Sequence, residues 1–209
     1  HGEVNNNWLA HIHNTHATGG YGVKIRAGDD NNVSAFRVSS QDNSTTILDA
    51  SGSGIVTKPN QPCFIAYTNA TFNTTTSTDT IIRSLNGIHL NVGSHYITSG
   101  GTASRFVAPV AGRYFFGFQF LLSNVATTDD SIHVSFFKNG SQNIYGNTRY
   151  VGEAANGNIG YGGYLPIIGN TLIQLAANDY IELNLYASGG PIGVHNSEGW
   201  SRYYGYLLG

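Results

Sequence analysis

The sequence predicts an all-β protein, a sandwich of two sheets, and three observations carry that expectation. From Phe106 to Phe118 the chain reads FVAPVAGRYFFGF, and alternation puts Phe106, Tyr114, Phe116 and Phe118 on one face. Short alternating or apolar segments recur along the chain, separated by Gly, Asn, Asp and Pro. No stretch sustains a 3.6-residue period, so almost no helix is expected. Four large aromatics held to one face make the Phe106–Phe118 stretch the core around which the remaining strands are arranged.

Residues 1–58 read as a stem. The segments WLAHIHNT, YGVKIRAG, VSAFRVSSQ, TTILDAS and GIVTK are four or five brief strands, separated by Gly-Gly, Asp-Asp-Asn-Asn, Asp-Asn-Ser and Gly-Ser-Gly turns. Each is too short and too thinly apolar to make a core alone, and three copies wound together would supply the missing layer. Residues 59–62, with Pro59 and Pro62, form a stiff junction because proline fixes φ and stops strand pairing.

Residues 63–209 form a second domain with longer strands. CFIAYTNA opens it, and a Thr/Asn-rich loop from Thr71 to Asp79 follows, too polar to be buried. TIIRSL and GIHLNVGSHY lead to the aromatic stretch, where Pro109 and Gly112 bend the chain between a lead-in strand and a long strand ending in QFLLSN. SIHVSFFKNG ends on Asn139-Gly140, a strong hairpin-turn signal. A Gly/Asn/Tyr-rich region from Ser141 to Gly163 is partly loop. LPIIGNTLIQLAANDYIELNLYAS holds two strands turning at Asn178-Asp179, and WSRYYGYLLG closes the chain.

Composition narrows the function classes. The 209 residues include only 11% charged side chains against about 25% in ordinary domains, so amides and hydroxyls supply the polarity. A net charge of −2 leaves no electrostatic footprint for nucleic acid or an anionic membrane. No apolar run of about 18 residues exists, so membrane insertion is not expected. Cys63 is the only cysteine, which excludes an intrachain disulfide and any C-x-x-C zinc pair. With no methionine and a histidine at position 1, further chain is expected upstream.

Residues 62–209 resemble the C1q-like domain of the tumour-necrosis-factor-like jelly rolls. Phe106, Gly112, Tyr114, Phe116 and Phe118 fall on that family's Phe-x5-Gly-x-Tyr-x-Phe-x-aromatic signature, and Asn91 with Tyr96 matches its Asn-x4-aromatic element. FFKNG, LAANDYIEL and YYGYLL are similar to its Lys-Asn-Gly turn, its following strand pair and its closing strand. Leu85 and Tyr203 stand where the pattern has Phe, and Asn178 where it has Gly, a change that a left-handed turn tolerates. The resemblance implies a two-sheet C1q/TNF-like jelly roll of about ten strands that assembles as a homotrimer. Closed three-fold symmetry would also hide the surplus of aromatic surface. Residues 1–58, with GGYGVKIRAGDDNN and SGSGIVTKPNQP, resemble the thin trimeric β-stems of bacteriophage fibres and spikes.

Candidate sites follow from residue type and place. His11-Ile-His13, with His16 nearby, puts two imidazoles on one strand face, and three chains would present six to an axial iron, nickel or zinc ion. Solvated stem histidines explain the same residues, and no cofactor is required. Nothing assembles a catalytic group. There is no G-x-S-x-G elbow, and of the carboxylates Glu153, Glu182 and Glu198, Glu182 alternates outward beside Asp179 while nothing pairs the other two. An enzyme is therefore not expected. Tyr145, Tyr150, Tyr161 and Tyr164 lie among Gly and Asn, and His195 lies in a later loop, a composition suited to adaptable recognition. The same rings also suit a trimer interface. Trp200 reads as core, and Tyr180, Tyr204 and Tyr206 join Phe106, Tyr114, Phe116 and Phe118 as core or trimer aromatics.

These readings converge on a non-enzymatic trimeric protein of the virion surface, the distal head of a bacteriophage tail fibre, spike or head fibre. Its partners would be further copies of itself, a host-surface glycan or envelope protein, and an upstream fibre or virion protein. A secreted or spore-surface C1q-like lectin or pattern-recognition module is the alternative.

Overall fold

The computed structural model describes residue 25, residues 30–75, 77–125, 131–141, the backbone of 148–151, and residues 163–208. The chain divides into two compact units, one running to Asn60 and one beginning at Gln61.

The first unit is a three-stranded antiparallel sheet of β1 (Ser34–Ser39), β2 (Thr46–Ser51) and β3 (Val56–Thr57). Register gives it two unlike faces. Phe36 faces Ala50, Val38 faces Leu48, and Val56 sits beside Ala50, so one face is apolar. On the other face Arg37 meets Asp49 at 2.6 Å, and Ser34 Oγ donates to the same carboxylate at 2.9 Å. These hydrogen bonds hold the Asp49 carboxyl below its ordinary range. No described residue from Asp30 to Asn60 is buried.

The second unit is a sandwich. Its strands are β4 (Cys63–Tyr67), β5 (Phe72–Asn73), β6 (Thr80–Ile81), β7 (Gly87–Asn91), β8 (Tyr96–Ile97), β9 (Arg105–Val107), β10 (Gly112–Ser123), β11 (Ser131–Lys138), β12 (Thr148–Val151), β13 (Leu165–Leu175), β14 (Tyr180–Ala187), β15 (Gly193–Val194) and β16 (Arg202–Leu207). The larger sheet runs β5-β15-β10-β16-β4-β7, with β13 on the remaining side of β10. The smaller runs β12-β11-β14-β9-β8, with β6 also paired to β14. One 3-10 turn, Val92–Ser94, is the only helical element among the described residues.

Alternation along β10 decides the packing. Tyr114, Phe116, Phe118 and Phe120 are buried, while Phe115 points to the opposite side. The buried rings meet those of the smaller sheet: Phe116 lies 5.6 Å from Phe106 and 6.5 Å from Phe136. Phe64 bridges further, 5.2 Å from Phe106 and 4.8 Å from Tyr203. Such offset and edge-on ring pairs add to the burial term of the core. Tyr203, where the family pattern has Phe, is fully buried, and burial pushes its phenol well above the ordinary range.

The two turns at one end are built as expected and also brace each other. Asn139 and Gly140 have φ of 54° and 73°, a left-handed pair that suits Asn-Gly, and Asn178 has φ of 70°. Lys138 Nζ lies 2.7 Å from Asp179 Oδ2, Asn139 Nδ2 donates to Asp179 Oδ1 at 2.7 Å, and Ala176 N donates to Oδ2 at 2.8 Å. Led by Lys138 and Asn139, these bonds lower the Asp179 carboxyl from 3.8 to about 2. A carboxyl depressed in the folded state stabilises fully above its unfolded value and loses that contribution as the pH falls towards its folded value. The thermal midpoint should therefore drop between pH 3.8 and about 2, and Asp179→Asn should flatten that part of the profile.

Three expectations need correction. Glu182 does not point to solvent, being 4% exposed, because β14 is paired on both sides and covered on both faces. Arg83 Nη1 lies 2.9 Å from Glu182 Oε2 while its hydrogen bond goes to Ala103 O at 2.7 Å, so the contact is charge against charge. The polar loop after Thr71 is not wholly exposed. Thr74 is buried, its Oγ accepts from Ile192 N at 3.0 Å, and Phe72–Asn73 pairs with Gly193–Val194. Trp200 is not core but 57% exposed.

Candidate interaction surface

The side chains that β10 turns away from the core start a continuous outward face. Phe115 sits between Leu172 of β13 and Tyr206 of β16, and Tyr206 is followed by Cys63 of β4. The next row runs Asn170, Gly117, Tyr204 and Ile65, and the third runs Ile168, Gln119, Arg202 and Tyr67. The ring of Phe115 lies 5.3 Å from Tyr206 and 6.4 Å from Tyr204. Gly117 leaves room for the Tyr204 ring that lies across it, since a Cβ there would fall 2.5 Å from that ring and push it aside. Leu172, Ile168 and Tyr206 stay exposed on this face, and Arg202 is its only charged residue within these three rows. Exposed apolar area of this extent on one sheet suits burial against another surface.

The predicted aromatics divide between two places. Phe106, Tyr114, Phe116 and Phe118 fill the core, while Tyr204 and Tyr206 lie on the outward face. Tyr180 is half-buried near the Asn139 turn, with the Arg105 guanidinium 4.4 Å from its ring centroid, a cation–π geometry. Phe115, Tyr67 and Ile65 were not singled out from the sequence. The signal was present in the odd positions of the same alternations that marked the core.

The loops at the far end of this sheet carry a second group. Tyr164, exposed, meets His195 edge-on at 5.4 Å. The His195 backbone is fixed by Thr68 Oγ1 donating to its carbonyl at 2.9 Å and by its own N–H on Leu121 O at 2.8 Å. Tyr145 and Tyr161 lie outside the described residues, as do His11 and His13, and of Tyr150 only the backbone is described, opposite Ile132. Among the described residues no three His, Cys, Asp or Glu groups are placed to hold a metal ion. Nearby, His89 Nε2 lies 3.1 Å from Glu198 Oε1, and the His89 ring lies 4.7 Å from that of Tyr67. The arrangement offers rings, amides and one mixed-charge cluster for contact.

No family model matches the chain. No curated protein matches it either. Solved structures do. Murine APRIL at pH 5.0 aligns over 71% of this chain and 99% of its own, at 13% identity and a TM-score of 0.50. The second unit is a C1q/TNF-type jelly roll. This jelly-roll head is also similar to the globular domain of zebrafish complement 1qA, at 12% identity, 71% and 98% coverage and a TM-score of 0.47. Eiger TNF from S. frugiperda aligns at 12% identity, 72% and 94% coverage and a TM-score of 0.49. At such identities the likeness concerns the fold of the head, whose sheets and core were described above. No helix among the described residues is long and apolar enough to cross a membrane.

Proposed function

We propose that this chain is the adsorbing end of a homotrimeric, non-enzymatic fibre or spike on a bacteriophage virion surface, which holds a host-surface glycan or envelope protein. The observation that carries the reading is the outward face on which Phe115, Tyr204 and Ile65 stay half-buried and Leu172 and Tyr206 exposed, on a sheet whose other face is already a full core. A closed three-fold contact hides such a face on every copy without leaving an open, growing edge. The stem sheet supports the same reading through its own bare apolar face. Three stems would bury Phe36, Val38 and Val56 against one another and continue upstream into fibre or virion protein. An axial metal at His11 and His13 would then be shared by three chains.

Adsorption in this scheme is weak per copy and strengthened by multivalency. Low charge and abundant Tyr, Gly and Asn on the loops suit contact with neutral, hydroxyl-rich surfaces. The test is an array of bacterial surface glycans read with wild-type protein and with Phe115→Asp, which sets a charge in the middle of the outward face. Wild type should be retained on a subset of spots, and the variant, folded by its melting curve, should lose most of that signal. Retention of the variant equal to wild type would contradict the multivalent reading.

A further inference from the structure

Trp200, expected in the core, stands exposed instead on a hydrogen-bonded loop, between Glu198 and Arg202 in sequence. The Trp200 backbone N–H donates to Ser197 O at 3.1 Å, and Ser201 N donates to the same carbonyl at 3.2 Å. Ser201 is anchored on both sides, its carbonyl accepting from Thr68 N at 3.3 Å and its hydroxyl from Leu121 N at 3.3 Å. Such a loop presents an indole with little ordering cost on binding. On its flanks stand Glu198, whose Oε1 meets His89, and Arg202, whose Nε donates to the Glu198 carbonyl at 3.0 Å. Tyr67 completes the group. Its ring lies across Gly87, where a Cβ would fall 2.2 Å from it, and is tilted against that of His89.

We infer that Trp200, Glu198, Arg202, His89 and Tyr67 form a binding site for a pyranose oligosaccharide, an assignment that rests on the adsorption reading above. The chemistry fits a sugar on both of its sides. The CH-rich face of a pyranose stacks on an exposed aromatic ring, here Trp200. Its hydroxyls need donors and acceptors side by side. Glu198, with its side chain 58% exposed, accepts, while the Arg202 guanidinium and the Tyr67 phenol donate. Glu198 and Arg202 bring one acidic and one basic group to the same loop, so their formal charges cancel across it, which favours a neutral ligand. Place agrees with chemistry. Arg202 begins β16, whose other end, Leu207, is bonded to Pro62 where the chain enters the head, so the site occupies the opposite end of the sheet.

The experiment uses the full chain carrying Trp8→Phe, which leaves Trp200 as the only tryptophan. Titration with maltotetraose and with chitotetraose, followed by indole emission and by saturation-transfer NMR, should give a saturable change with at least one of them. Glu198→Gln should weaken that binding by about tenfold, equivalent to about 1.4 kcal/mol. Trp200→Ala should abolish the NMR transfer while leaving the melting curve unchanged, since the ring is not part of the core. Transfer unaltered by both substitutions would overturn the site and leave adsorption standing. No response to either oligosaccharide would overturn the pyranose assignment, and the glycan array, read independently with wild type, would then decide the adsorption reading.

Discussion

Tyr114→Ala is expected to lower the unfolding free energy of the head by about 3–5 kcal/mol, the range for truncating a large, fully buried aromatic. Tyr114 has no exposed surface, its ring lies 5.5 Å from Phe106 and 6.1 Å from Phe116, and its hydroxyl donates to Val110 O at 2.9 Å. Removing the ring leaves a cavity between the two sheets that the strands cannot close, because β10 is held by β13 on one side and by β16 on the other. Tyr114→Phe separates the terms. It keeps the ring and removes one hydrogen bond, so it should cost about 1 kcal/mol. Denaturant melts of both variants check the prediction, and equal losses would show that the hydroxyl, not the packing, matters there.

A polypeptide of residues 1–60 alone should show no cooperative unfolding transition. Phe36 and Val38 remain 43% and 37% exposed and Val56 64% exposed, although all three lie on the apolar face of their sheet. Three short strands without a fully buried side chain among their described residues cannot offset the backbone entropy of ordering them, about 1–2 kcal/mol per residue. The ion pair between Arg37 and Asp49 adds little, because Arg37 is half exposed. Circular dichroism against temperature is the check. A sharp transition in a fragment shown to be monomeric would mean that the first unit carries a core of its own.

What was legible in the sequence was whatever alternation and turn chemistry encode locally. FVAPVAGRYFFGF reads directly as a lead-in strand, a bend and a long strand because Pro109 and Gly112 punctuate it and Tyr114, Phe116 and Phe118 alternate after the bend. Asn139 and Asn178 were legible because left-handed backbone is open to few residue types. What misled was the assumption that one face of each strand is wet. β14 lies between β11 on one side and β9 with β6 on the other, and it is covered above and below, so Glu182 alternates away from the core and is still buried. Trp200 misled in the opposite direction. A large ring beside a core strand reads as core, yet bonds to Ser197 and Ser201 set the loop that exposes it, and hydrogen bonds from residues distant in sequence leave no local periodicity. The outward face was legible in Tyr204 and Tyr206 alone. Phe115 and Ile65 lie with Tyr204 in three separate segments, and only the register of β10, β16 and β4 brings them side by side.

The account rests most heavily on the burial of the Phe115 and Tyr204 rows of that face between copies of the chain, the row of Arg202 and Tyr67 staying open at its edge. Light scattering coupled to size-exclusion chromatography of the wild-type protein, run across a dilution series, tests it most directly. A mass three times the 22.4 kDa of one chain, stable on dilution, is the expected result. A single-chain mass with a cooperative melt at working concentration would contradict it.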